Sequence, residues 1–74
     1  MSDPAILEEL GRRFKELRLR KDIRQYELAK DAGVSLGVVQ RFETGKNISV
    51  ETLIKMMRVF KLLENLNDLI LEEP

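Results

Sequence analysis

Two short apolar-periodic segments, residues 25–32 and 35–45, are separated by little more than Gly33 and Val34, and this spacing constrains the chain more than any other feature. In the first segment Leu28 and Ala29 read as the inward side, and Gly33 then supplies the backbone freedom that a sharp reversal needs. Ser35 carries the acceptor side chain favoured at a helix N-cap, and Val39 and Phe42, three residues apart, form the inward side of a second helix expected to end at Gly45. Ala29 is small where the two helices would cross most closely, so a larger side chain there, or at Gly33, would prise them apart. The pattern predicts a pair of helices locked around a glycine turn, with the outer face of the second open.

The flanking segments are helical by the same criteria. Asp3 before Pro4 reads as an N-cap followed by a proline whose missing N–H costs nothing at the helix start. Leu7, Leu10, Phe14 and Leu17 then recur at steps of three and four, a stripe that should fade near Lys21 and Asp22. Ser49 is positioned to cap a fourth helix in which Val50, Leu53, Ile54, Met57 and Phe60 face one way, with Met56 and Val59 widening the stripe. Residues 62–71 contribute Leu62, Leu63, Leu66, Leu69, Ile70 and Leu71, which predicts a short fifth helix. Its apolar surface either completes the core or, together with Met56 and Val59, faces a second subunit. The expected organisation is one all-α domain over residues 1–74, with 62–74 as a C-terminal helix and tail contributing to dimerisation.

Composition removes most alternatives. In 74 residues there is no cysteine and no histidine, so disulfides, Cys/His zinc sites and histidine acid–base chemistry are excluded and helix packing must carry the fold. The remaining carboxylates, amines, hydroxyls and one tyrosine show no nucleophile–base pattern. Phosphate-cradling glycine loops and dinucleotide fingerprints are also missing, so neither an enzyme nor a cofactor is expected. No signal-like or membrane-spanning apolar run occurs, and a cytoplasmic location is expected. The formal net charge is zero, which taken alone argues against a nucleic-acid partner. Its distribution argues the other way, since residues 11–46 hold ten basic side chains against five acidic ones while both ends are acidic. Such a middle either forms a basic binding face or simply solvates the helices.

The string QYELAKDAGVSLGVVQRFETGK, residues 25–46, resembles the core of the Cro/CI-type (XRE) helix-turn-helix family. The resemblance rests on Gln25, Leu28, Ala29, Gly33, Ser35, Val39, Phe42, Glu43, Gly45 and Lys46, and it extends outward to the first helix and to the one capped by Ser49. It implies a compact five-helix, lambda-repressor-like fold whose second motif helix lies in the DNA major groove while the first spans the backbone. Carried over by position, Gln25 holds a phosphate or merely caps its helix. Ser35, Leu36, Gly37, Val38, Gln40 and Arg41 occupy the start and the groove-facing part of the reading helix. Arg41 either donates twice to guanine or contacts phosphate. Gln40 reads adenine or faces water, Leu36 and Val38 offer apolar contact to thymine methyls, and Gly37 admits close backbone approach. Thr44, Lys46 and Asn47 match loop positions for phosphate, and Arg18 with Glu43 matches a structural ion pair.

Two positions depart from the pattern. Arg24 replaces the usual capping residue before Gln25, exchanging a capping oxygen for a cation near the DNA backbone. Gly37 lies inside a helix, where it costs roughly 1 kcal/mol relative to alanine. The implied function is a double-stranded-DNA-binding regulator, as a dimeric repressor of a near-palindromic operator whose dimer surface includes Met56, Val59, Leu63, Leu66, Leu69 and Ile70. A HipB-like antitoxin, which the Phe42–Glu43 step and the Ser49 helix also resemble, would bind DNA and a protein toxin. A helical adaptor without DNA binding is the third alternative.

Overall fold

The structure, a computed structural model, describes residues 2–61, and within them the chain forms four helices: α1 (Asp3–Arg20), α2 (Gln25–Ala32), α3 (Leu36–Glu43) and α4 (Val50–Val59). The fifth helix expected over 62–71 lies outside the described residues, as do Leu63, Leu66, Leu69 and Ile70.

Hydroxyl caps set three of the four helix starts. Ser35 Oγ accepts from the Val38 N–H at 3.2 Å and Ser49 Oγ from the Thr52 N–H at 3.0 Å, as the sequence predicts. At the first helix the expected cap is corrected by one residue: Ser2, not Asp3, is the N-cap, accepting from the Ala5 N–H at 3.3 Å. Asp3 becomes the first helical residue, where a carboxylate still favours the positive helix end. Before α2, Arg24 has no acceptor to offer, so only the reciprocal half of a capping box forms, with Glu27 Oε1 accepting from the Arg24 N–H at 3.1 Å.

The first three helices end alike. The amides of Ile23, Val34 and Lys46 reach back to the carbonyls of Arg18, Ala29 and Arg41 at 3.1, 3.0 and 2.9 Å, around a left-handed residue in each case. Those residues are Asp22 (φ 56°), Gly33 (φ 72°) and Gly45 (φ 89°). Three similar stops turn the chain three times and fold the helices onto one core.

That core consists of Leu28 and Ala29 from α2, Val39 and Phe42 from α3, Met56 from α4, and Phe60. Phe14 of α1 lies edge-on to Phe42 and to Phe60, with ring centroids 5.2 and 5.4 Å apart, so all three phenylalanines join α1, α3 and the end of α4. Met56 is therefore corrected from partner surface to core: only 1% exposed, it has no face left for a second subunit. Val50, expected inward, is 70% exposed. The inward stripe of α4 runs through Leu53, Met56 and Phe60, at steps of three and four, and leaves the first helical residue outside. Leu10 is likewise exposed, because Gly11 takes the inward place beside it on α1.

Candidate nucleic-acid interface

The end of α3 is docked on α1 by close backbone approach. A Cβ at Gly11 would stand 2.0 Å from the Phe42 carbonyl oxygen, and one at Gly45 would stand 2.8 Å from Glu8 Cγ and 3.1 Å from Glu8 Cα. Residues 8 and 11 are one helical turn apart, so a single face of α1 receives both the last turn of α3 and the bend after it.

A buried ion pair reinforces this contact. Arg18 Nε donates to Glu43 Oε2 at 2.6 Å and Arg18 Nη2 to Glu43 Oε1 at 3.0 Å, a bidentate arrangement with both side chains almost wholly buried. The remaining guanidinium nitrogen donates to the Ile23 carbonyl at 2.8 Å, tying in the turn between α1 and α2. Gln25 completes the cluster, its Nε2 donating to Glu43 Oε1 at 2.9 Å. One carboxylate thus holds α1, the start of α2 and the end of α3 together, and no buried side-chain polar atom among the described residues lacks a partner.

The same cluster shapes the electrostatics of the outer face. Glu43 is the sole acid in α3 and Arg41 its sole base. With the carboxylate drawn inward to Arg18 and Gln25, the outward side of α3 keeps the cation and loses the anion. Gly37, Gln40, Arg41 and Thr44, together with Lys46 just beyond the helix, line one open concavity of about 520 Å³. At 3.6 residues per turn, positions 37, 40, 41 and 44 share a stripe opposite Val39 and Phe42.

The other sequence-derived site residues fall around this stripe. Leu36, 41% exposed, and the half-buried Val38 stand on its two flanks rather than in the concavity. Ser35 caps the helix, and its hydroxyl hydrogen is not used by that bond. Asn47 and Arg24 are exposed, one beyond the helix and one at the entrance to α2. Thr44 Oγ1 donates to the carbonyls of Gln40 and Arg41 at 3.2 and 2.9 Å, so its hydroxyl closes the helix end. Gln25 is half-buried and turned toward Glu43, although its amide nitrogen carries a second N–H. The bond from Gln25 to Glu43 and the approach at Gly11 are features that sequence reasoning missed. A glycine inside an otherwise strong helix was the available signal for the second.

Two helices joined at a left-handed glycine, the second capped by serine and carrying a cationic outward stripe, define a helix-turn-helix DNA-binding domain. A family model described as helix-turn-helix matches residues 14–64, more than half of the chain, and the protein belongs to that family, in its Cro/CI (XRE) branch. It is a DNA-binding regulator of the XRE type, and the family is not one of enzymes. Comparison with curated proteins gives no match. Among the described residues no helix is long and apolar enough to cross a membrane.

Proposed function

We propose that the protein, as a homodimer, reads a near-palindromic operator in duplex DNA and represses transcription there. The observation that carries the reading is the inward capture of Glu43, which leaves Arg41 and Lys46 as the charged groups of an outward concavity on α3. Against the major groove, Arg41 is placed to donate twice to guanine and Gln40 to adenine. Ser35, Leu36, Gly37 and Val38 lie at the leading end, the last three giving apolar or backbone contact. Lys46, Asn47, Arg24 and the free amide hydrogen of Gln25 serve the phosphates and set the register, and Thr44, its hydroxyl turned back to the Gln40 and Arg41 carbonyls, lines the surface beside them instead of donating to phosphate.

Residues 1–74 act as one domain on this reading. Leu63, Leu66, Leu69 and Ile70 supply more apolar side chains than a core this small requires, and together with the outer side of Val59, itself half-buried against the core, they form the dimer surface. Two reading helices about 34 Å apart would then meet successive major grooves on one side of the duplex.

Selection from random duplex DNA at about 100 mM salt, followed by sequencing, tests the reading in a regime where phosphate contacts alone are weakened. A two-fold symmetric enriched site is expected, and a reporter placed behind it should fall in expression when the protein is present. Failure to enrich any motif would overturn sequence reading, and an asymmetric half-site bound by a monomer would overturn the dimer. Enrichment without reporter repression, with a dedicated protein partner bound instead, would favour the antitoxin role.

A further inference from the structure

The outward stripe of α3 contains a glycine that the protein itself does not need. Gly11 and Gly45 face backbone and side-chain atoms that a Cβ would strike, whereas a Cβ at Gly37 would meet nothing nearer than Arg41 Nη1 at 3.8 Å and Ser35 Oγ at 4.0 Å. These are ordinary contact distances, and the Gly37 backbone is not left-handed. Glycine in a helix is nevertheless less stable than alanine. Neither steric need nor backbone geometry accounts for it.

The identity of the nearest atom does. Arg41 follows Gly37 by one turn, and helical side chains lean toward the N-terminus, over the residue four positions earlier. The Arg41 guanidinium accordingly comes within contact distance of the place where a side chain at 37 would start, with Nη1 3.8 Å from that Cβ position. We infer that Gly37 and Arg41 are one specificity unit, in which the missing side chain at 37 seats the Arg41 guanidinium at the leading end of α3 to read guanine. This rests on the DNA-reading function proposed above and adds a specificity-determining role for a residue with no functional group.

The physical basis is geometric. Bidentate recognition requires the planar guanidinium to lie in the plane of the base edge with two N–H groups directed at O6 and N7. A longer side chain at 37, extending past the Cβ position that already lies 3.8 Å from Arg41 Nη1, would turn the guanidinium aside. A methyl group at 37 would not, since its carbon would only reach contact distance. Residue 37 therefore controls whether Arg41 can read its guanine, although it has no side chain to offer the base.

The test is a double-mutant cycle read as base preference. Gly37→Leu, Gly37→Ala, Arg41→Ala and the Gly37→Leu/Arg41→Ala pair are compared with the native chain for binding to the selected operator and to operators altered at each base pair. Leucine is a good helix former, and thermal melts confirm that each variant is folded. Expected is an approximately tenfold loss of guanine preference, at one and the same base pair, for Gly37→Leu and for Arg41→Ala. The double variant should lose no more than Arg41→Ala alone, and Gly37→Ala should keep the preference with a raised melting temperature. Losses that multiply, or that fall on different base pairs, would overturn the unit while leaving DNA reading intact. A native chain with no sequence preference would overturn the proposed function and the unit with it.

Discussion

Gly11 of α1 and Phe42 of α3 touch through their backbones, so closely that a Cβ at residue 11 would stand 2.0 Å from the Phe42 carbonyl oxygen. This contact fixes where the last turn of α3 rests on α1, and with it the positions of Arg41 and Glu43. Gly11→Ala tests two opposed effects. Alanine gains roughly 1 kcal/mol of helix preference, but the clash is with backbone, which cannot rotate away, and overpacking of this kind costs typically about 1–3 kcal/mol. The expected net result is destabilisation, seen as a melting temperature lower by several degrees. A melting temperature that rises would show that α1 and α3 separate freely.

Arg18 and Glu43 should behave as a unit. Both are buried, so Arg18→Met alone leaves the Glu43 carboxylate with only Gln25, and a cost of about 3–5 kcal/mol is expected in urea unfolding. Arg18→Met combined with Glu43→Leu removes both charges and should recover a large part of that loss. A double variant as unstable as the sum of the single ones would show that the pair is not coupled. Gln25→Ala should cost less, because the bidentate contact with Arg18 survives it.

Much of this arrangement was legible in the sequence, for reasons that differ by residue. The limits of α2, the caps at Ser35 and Ser49, and the turn at Gly33 depend on neighbours within four positions, and local chemistry decides them. The Arg18–Glu43 pair spans 25 positions and was legible only through family resemblance. What was not legible depends on how helices approach in space. Met56 and Val50 lie on the same amphipathic helix, and only the packing of α4 against α2 makes one core and the other surface. Gln25 looked like a phosphate ligand or a cap because nothing along the chain shows that Glu43 arrives beside it. Of the interface residues, the stripe of 37, 40, 41 and 44 follows from helical period, whereas the concavity they share with Lys46 depends on the turn at Gly45.

Glu9 gives a prediction in pH. Hydrogen bonds first from Arg12 and then from Arg13 lower its carboxyl from an ordinary value of 4.5 to about 2. A group whose folded value is depressed adds stability above its unfolded value, and that contribution disappears as pH falls through the folded one. Glu9→Gln should therefore melt slightly below the native chain at pH 7, with the difference shrinking between about pH 4.5 and pH 2. The difference stays small because these ion pairs are solvent-exposed. A gap that widens toward low pH would rule out the depression.

Arg41 and Lys46 line the same concavity, yet their removal should have different consequences. Lys46 follows α3 and carries a compact ammonium suited to a phosphate, which has the same charge at every sequence. Lys46→Ala should therefore weaken binding to operator and random DNA alike and flatten the dependence of log affinity on log salt by about one unit. Arg41 projects from the centre of the outward stripe, where its paired donors match guanine alone among the bases. Arg41→Ala should reduce operator affinity by about tenfold while binding to random DNA falls much less. The measurement is a salt titration of each variant on both DNAs. Equal losses on operator and random duplex for Arg41→Ala would assign its guanidinium to the phosphates, and the specificity of the domain would then have to arise from Gln40 and the flanking apolar contacts of Leu36 and Val38.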